Sequence, residues 1–417
     1  MQKKNWNNLS SLILVTLLLF TIACETPKKE IPPSIKQGVW RMQMDLGEVK
    51  LPFNFTIDKK QNDWEMVIIN AEERININSI QQKNDSLFID LPIYESVFEL
   101  KIEDSTKLSG LWRNLYKSED YTIPVEANFG DAFRFTAAKE DLMKDISGKY
   151  EATLKPNTEN ARKAIALFKQ NGNKLSGTFV TETGDYRHLD GNFVNDSLFL
   201  STFDGFSAYV FIAENQDSII KGKYYSGNHF SDNWEAFKNE DFELANPDSL
   251  TFIKEGYEGL SFSFPNADGE MMSLEDDRFK NKVVIVQIMG SWCPNCLDET
   301  RYLADFHNKY QKDGLEVIAL AFERTKSEEK AFENVGELKE RTGANYPFLL
   351  ASWERKANAA EKLPMLNHIM SFPTAIYLNR KGDVVKIHTG FYGPGTGEMY
   401  EKFSRETEAF VSALLEE

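Results

Sequence analysis

The chain has 417 residues, 41% of them hydrophobic and 27% charged, the proportions of a globular protein with a buried core. That length exceeds one ordinary domain and predicts two or three. A formal net charge of -16 argues against a phosphate backbone as partner, so no nucleic acid is expected, and three cysteines are too few for a disulfide-stapled scaffold.

At the N-terminus, Lys3 and Lys4 precede an apolar run from Leu12 to Ile22, which ends in Ala23 and Cys24. Positive, apolar and small segments in that order predict an export signal over residues 1–23. The run is about half the roughly 20 residues that a permanent transmembrane helix needs. Thr21-Ile22-Ala23-Cys24 resembles a bacterial lipobox, although Thr21 stands where Leu is usual. The resemblance implies cleavage before Cys24 and lipid attachment to Cys24. The protein would then be held in the cell envelope, facing the periplasm from the inner or the outer membrane. The plain alternative is a secretory signal that ends beside a cysteine. Residues 24–37, with Lys28, Lys29, Pro32 and Pro33, read as an extended tether.

From about residue 38 to 245 the pattern is short alternating segments, such as Phe53-Asn54-Phe55-Thr56-Ile57 and Ser86-Leu87-Phe88-Ile89-Asp90-Leu91, separated by Asn, Asp, Gly and Lys clusters. This predicts an all-β, antiparallel region. Only Asn160 to Lys169 fits a helix as well as a strand. Gly38-Val39-Trp40 matches Gly148-Lys149-Tyr150, and Lys60-Gln61-Asn62 matches Lys169-Gln170-Asn171. Further on, Asn84-Asp85-Ser86-Leu87-Phe88 matches Asn195-Asp196-Ser197-Leu198-Phe199, and Leu108-Ser109-Gly110 matches Ile220-Lys221-Gly222. A constant offset of about 110 residues predicts an internal duplication, with repeats over about 38–130 and 148–242, as paired small barrels or halves of one sandwich. No chemical constellation falls here. His188 and His229 are isolated, and Trp40, Trp64, Trp112 and Trp234 are expected in cores, although one could line a ligand groove. A docking or dimerising module and a plain spacer both remain open.

Residues 246–258, around Asn246-Pro247-Asp248-Ser249, read as a linker to a domain over 259–417. Val283 to Met289 is an unbroken apolar run, predicting a strand buried on both faces. Leu297, Leu303, Phe306 and Tyr310 recur at helical spacing until Gly314. Leu315 to Phe322 predicts a second buried strand, and Thr325 with Glu328 a capping box for a helix closing at Gly343. A short strand at Tyr346 to Leu350 and a helical stretch at Trp353 to Leu363 follow. Thr374 to Leu378 and Val384 to His388 predict a hairpin, and about Gly397 to Leu415 a terminal helix.

Ser291-Trp292-Cys293-Pro294-Asn295-Cys296 joins the first buried strand to the first helix. With Cys24 acylated, Cys293 and Cys296 are the remaining thiols, kept as a pair where disulfides persist. A helix N-terminus favours an anion, so Cys293 is expected to be the exposed nucleophile. Cys296, one turn in, would be the shielded thiol that resolves a mixed disulfide.

Over 259–417 the chain resembles the TlpA/ResA-like branch of thioredoxin-fold thiol-disulfide oxidoreductases. The resemblance rests on Lys282-Val283-Val284, Trp292-Cys293-Pro294-Asn295-Cys296, Glu299 and Ser371-Phe372-Pro373-Thr374. It implies an α/β thioredoxin-like domain whose redox-active disulfide, Cys293 with Cys296, is the only cofactor. It also implies a cis Phe372–Pro373 bond, with Trp292 and Phe372 on the substrate side. Disulfide-bearing proteins outside the cytoplasm would be the substrates, and a DsbD or CcdA type of membrane electron donor would recharge the pair.

Gln287 stands where thioredoxin has a buried aspartate and cannot take a proton, so Glu299 is expected to serve Cys296 as acid and base. Pro294-Asn295 supplies no cation between the cysteines, which leans the pair toward reduction. A zinc site lacks ligands, so no metal is expected. A thiol peroxidase is the nearer alternative, but the Pro-x-x-x-Thr-x-x-Cys loop of peroxiredoxins is absent. A non-catalytic surface protein that binds through its β-rich region is the alternative of another class.

Overall fold

The computed structural model describes residues 34–61, 63–91, 94–137, 144–354 and 359–417. The export segment and residues 24–33 of the tether, Cys24 included, lie outside the described residues.

Among the described residues, nine strands between Gly38 and Phe129 form an antiparallel meander. Its first strand, Gly38–Asp45, pairs with its last, Thr122–Phe129, so the sheet curls into a barrel. Alternation drives the curl: in Asp63–Asn70, Trp64, Met66 and Ile68 point inward and their neighbours outward. Trp40, Phe53, Phe55, Phe98 and Trp112 fill the interior. A second set of nine strands runs from Gly148 to Lys238. Gly148–Leu154 pairs with Phe230–Lys238, and Arg162–Asn171 pairs with Lys174–Thr181, which closes this ring completely. Its core centres on Phe179, stacked on Phe211 at 4.3 Å with the edge of Trp234 at 4.9 Å. Trp40, Trp64, Trp112 and Trp234 are therefore core residues, and none lines a groove. The ambiguous Asn160 to Lys169 segment is strand from Arg162 onward, with extended pairing on both sides.

Each matched pair of sequence segments takes the same place in its own sheet. The matches fall in or at the edge of the first, second, sixth and eighth strands of each set. Gly110 and Gly222 show why one residue type recurs. A Cβ on Gly110 would lie 2.0 Å from the Glu99 carbonyl oxygen, and one on Gly222 1.9 Å from that of Ile212. Only a residue without a side chain lets neighbouring strands approach at this bend.

The two barrels share a core. Phe203, in the second, inserts into the first and stacks on Phe53 at 4.8 Å, with Trp112 edge-on at 5.2 Å. Arg134, between the barrels, donates to the Ile69 carbonyl at 2.8 Å, to Asn70 Oδ1 at 3.0 Å and to Ser201 Oγ at 2.9 Å. Burying a guanidinium is tolerated only because its donors find oxygens.

The C-terminal region is thioredoxin-like. Val283–Met289 is central in a five-stranded sheet, parallel to Leu315–Thr325 and antiparallel to Thr374–Leu378; Phe348–Glu354 and Val384–Thr389 form the edges. All seven residues of Val283–Met289 are buried. Val283, Ile285 and Met289 enter one core while Val284, Val286 and Ile288 enter the other, as the period-2 geometry requires. Helices Pro294–Tyr310, Glu328–Thr342 and Glu398–Glu416 pack around the sheet.

Two expectations are corrected here. The cap of Glu328–Thr342 is Ser327, whose hydroxyl accepts from the Lys330 amide at 3.2 Å, while Thr325 still belongs to the strand. Trp353 is likewise in the strand Phe348–Glu354, and the helix described after it covers only Ala359–Lys362, because pairing with Leu315–Thr325 extends further than its apolar run. The linker residues are docked: Asp248 accepts from His388 Nδ1 at 2.6 Å, and Ile253 bridges to Leu366.

Candidate active site

The central strand ends at Met289 and the chain turns through Gly290-Ser291-Trp292 into the helix that begins at Pro294. Cys293 is the N-cap of this helix, in extended conformation (φ -98°, ψ 115°), and its sulfur accepts from the Cys296 amide at 3.3 Å. The sulfur stands in for the oxygen that usually caps a helix. Its thiol also points at the Phe372 carbonyl oxygen, 3.3 Å away, and the Phe372–Pro373 peptide is cis. Sequence-distant Trp292, Cys293, Phe372 and Pro373 thus meet: the Trp292 and Phe372 rings are 5.6 Å apart, and the indole N–H donates to the Phe322 carbonyl at 2.9 Å. Both thiols are free.

Cys296 is wholly buried, and burial, followed by the sulfur of Cys293, pushes its pKa well up. Glu299 is 1% exposed, which rules out a solvated surface glutamate. It accepts from Gln287 Nε2 at 2.8 Å, and the Thr300 hydroxyl donates to Gln287 Oε1 at 3.2 Å. Burial pushes Glu299 up to about 8, only partly opposed by that hydrogen bond. Gln287 orients the carboxyl by donating to it.

Cys293 was expected to be exposed and is not: 6% of it is accessible. Part of the physical reason lies outside the thioredoxin-like domain. Tyr94, from the first barrel, belongs to the same buried cluster as both cysteines. Tyr116 stacks on Trp292 at 5.9 Å, and Arg324 covers an indole face at 3.9 Å.

Three further residues shape the site. Glu323, 2% exposed, accepts from the Ser291 amide at 2.7 Å and the Ser291 hydroxyl at 2.6 Å, fixing the turn into the motif. Burial pushes it up to about 7. An acid closing the apolar run Leu315 to Phe322 was the available signal. Arg187 in the second barrel donates to the Pro294 carbonyl at 3.0 Å and pairs with Asp298 at 2.5 Å, with Glu73, and with Asp204 at 3.4 Å. Asp185, pushed up to about 6 by burial, accepts from the Gly393 amide at 2.6 Å. Nothing in the sequence pattern marked either. His188 lines a cavity with Glu73, Asp298 and Tyr302, and His229 lies against Tyr121. Among the described residues no group of three or more potential metal ligands occurs.

Residues 254–401 match the Redoxin family model. The chain is 28% identical over 145 residues to the thiol-disulfide oxidoreductase ResA of Bacillus subtilis, covering 33% of this chain and 69% of that protein. It is 29% identical over 141 residues to the thioredoxin-like protein YneN of the same organism, covering 33% and 73%. A solved structure from Chlorobium tepidum, titled a thiol:disulfide interchange protein DsbE, aligns with 39% of this chain and 99% of its own at 18% identity and a TM-score of 0.31. The ResA relatives are thiol-disulfide oxidoreductases. Among the described residues no helix is long and apolar enough to cross a membrane.

Proposed function

We propose that the protein is a disulfide reductase of the cell envelope, working on protein disulfides through Cys293 and Cys296. The observation that carries this reading is the Cys293 sulfur at a helix N-terminus, 3.3 Å from both the Cys296 amide and the Phe372 carbonyl. In the reaction, Cys293 loses its proton and its thiolate attacks a substrate disulfide. The substrate S–S bond breaks, one substrate thiolate leaves and takes up a proton, and a mixed disulfide joins Cys293 to the other sulfur. Glu299 takes the Cys296 proton, and the Cys296 thiolate attacks Cys293. The second substrate sulfur leaves as a thiolate and takes up a proton as Glu299 gives up the one it received, and a Cys293–Cys296 disulfide remains. Two electrons and two protons have then passed from the dithiol to the substrate. A carboxyl titrating near 8 is suited to this exchange at neutral pH.

The rest of the reading comes from the sequence. Cleavage before Cys24 and its acylation would tether the protein to a membrane, facing the periplasm, and the two barrels would be copies of one ancestral meander. A membrane donor of DsbD or CcdA type would return the electrons. The test is a Cys296→Ser variant, in which the mixed disulfide persists: covalent protein adducts, released by dithiothreitol, are expected. Their absence, with Cys293 reduced and the protein folded, refutes protein disulfides as substrates.

A further inference from the structure

The β-rich region does more than precede the dithiol. The turn Thr181 to Arg187 of the second barrel lies against three parts of the redoxin domain at once. The Ser371 hydroxyl donates to the Thr183 carbonyl at 2.7 Å, immediately before the cis Phe372–Pro373 bond. Asn295, between the two cysteines, donates through Nδ2 to the Asp185 carbonyl at 3.3 Å. Gly184 packs so tightly that a Cβ on it would lie 2.1 Å from that Nδ2, and a Cβ on Gly390 would lie 3.1 Å from the Thr183 carbonyl carbon. One backbone segment is thus bonded to both the residue between the cysteines and the residue before Phe372.

The turn is fastened. Arg187 is buried and joins Glu73 of the first barrel and Asp204 of the second to Asp298 and the Pro294 carbonyl of the dithiol helix. On the other side Tyr116 stacks on Trp292 and meets Phe206 at 5.2 Å, and Phe206 meets Tyr94 at 5.6 Å. Cys293 is closed off between these two walls.

We propose that the Thr181 to Arg187 turn is a built-in occupant of the substrate groove and that Arg187 is its latch, so that the turn must be withdrawn before Cys293 meets a protein disulfide. This rests on the function proposed above, of which it is the regulation. The latch suits that task because its strength is ionic and geometric: one guanidinium serves three carboxylates drawn from both barrels and the dithiol helix. Its loss leaves those carboxylates facing one another without the charge that holds the walls together.

The test reads accessibility apart from turnover. The full chain, reduced, is alkylated with N-ethylmaleimide and modification of Cys293 is followed by mass. Arg187→Met, confirmed folded by circular dichroism, is expected to react at least about tenfold faster than the parent, equivalent to about 1.4 kcal/mol of opening. Tyr116→Ala, at the half-buried rim and independent of the ion pairs, is expected to accelerate it about threefold and serves if Arg187→Met does not fold. Insulin reduction should rise in the same order. Folded variants that alkylate at the parent rate overturn the latch. Faster alkylation with no reduction of insulin or glutathione disulfide supports the latch and overturns the proposed reductase activity.

Discussion

Replacing Glu299 with Gln tests proton transfer and buried charge together. The amide keeps the shape of the carboxyl, and its oxygen can still accept from Gln287, so the core around Cys296 should hold. What disappears is a group that titrates near 8 in the folded protein against 4.5 ordinarily. Because the folded value is raised, the folded state binds the extra proton across that window, and the stability this lends is complete below about 4.5 and lost as pH rises through 8. Three and a half pH units at about 1.36 kcal/mol each set an upper bound of about 5 kcal/mol, and about half is expected once the site relaxes. Urea unfolding at pH 4.5 and pH 9, which bracket that window, should therefore show the parent losing stability that Glu299→Gln retains. Resolution of a mixed disulfide by Cys296 should slow by about a hundredfold and lose its limb near pH 8. An unchanged rate and an unchanged pH profile would refute the proton-transfer role. An alkaline stability loss equal in both proteins would refute the buried charge.

Glu323→Gln should flatten a smaller stability loss that the parent shows as pH rises through 7, the sign again following from a raised value, with a ceiling of about 2 kcal/mol by unfolding at pH 5.5 and 8.5. Phe203→Ala should cost about 3–5 kcal/mol in denaturant titrations and alter the emission of Trp112, in the first barrel, although Phe203 is in the second. Gly222→Ala should destabilise by more than about 1–3 kcal/mol, since the obstacle is the Ile212 carbonyl and not a side chain that can move; a neutral result in a thermal melt would contradict the close approach.

The thioredoxin-like domain was largely legible because its cues are local. Val283 to Met289 carries its burial in its own composition, and the dithiol helix shows its face in Leu297, Leu303 and Phe306, all buried as expected. Glu299 was legible as a member of the helix face that meets Cys296, but not the raised affinity for a proton, which depends on Gln287 and on packing from other elements. Closure of the β-rich sheets was visible only as alternation and repeat, since pairing Gly38–Asp45 with Thr122–Phe129 is a choice of partners far apart in the chain. Burial of Cys293 was illegible for the same reason. Tyr94 shares its buried cluster, Tyr116 stacks on the neighbouring Trp292, and Arg187 draws its partners from positions 73, 204 and 298. No window along the sequence contains them together.

Phe203, with Ala208 and Val210, completes the interior of the first barrel, whose last strand ends at Phe129. During synthesis the first barrel's own strands are all present about 80 residues before its core can be sealed, an interval of roughly 4–16 s at 5–20 residues per second. Through that interval a ring of Trp40, Phe53, Phe98 and Trp112 lacks its plug. Synthesis order then places the dithiol last, so the thiols emerge onto a barrel pair already able to receive them.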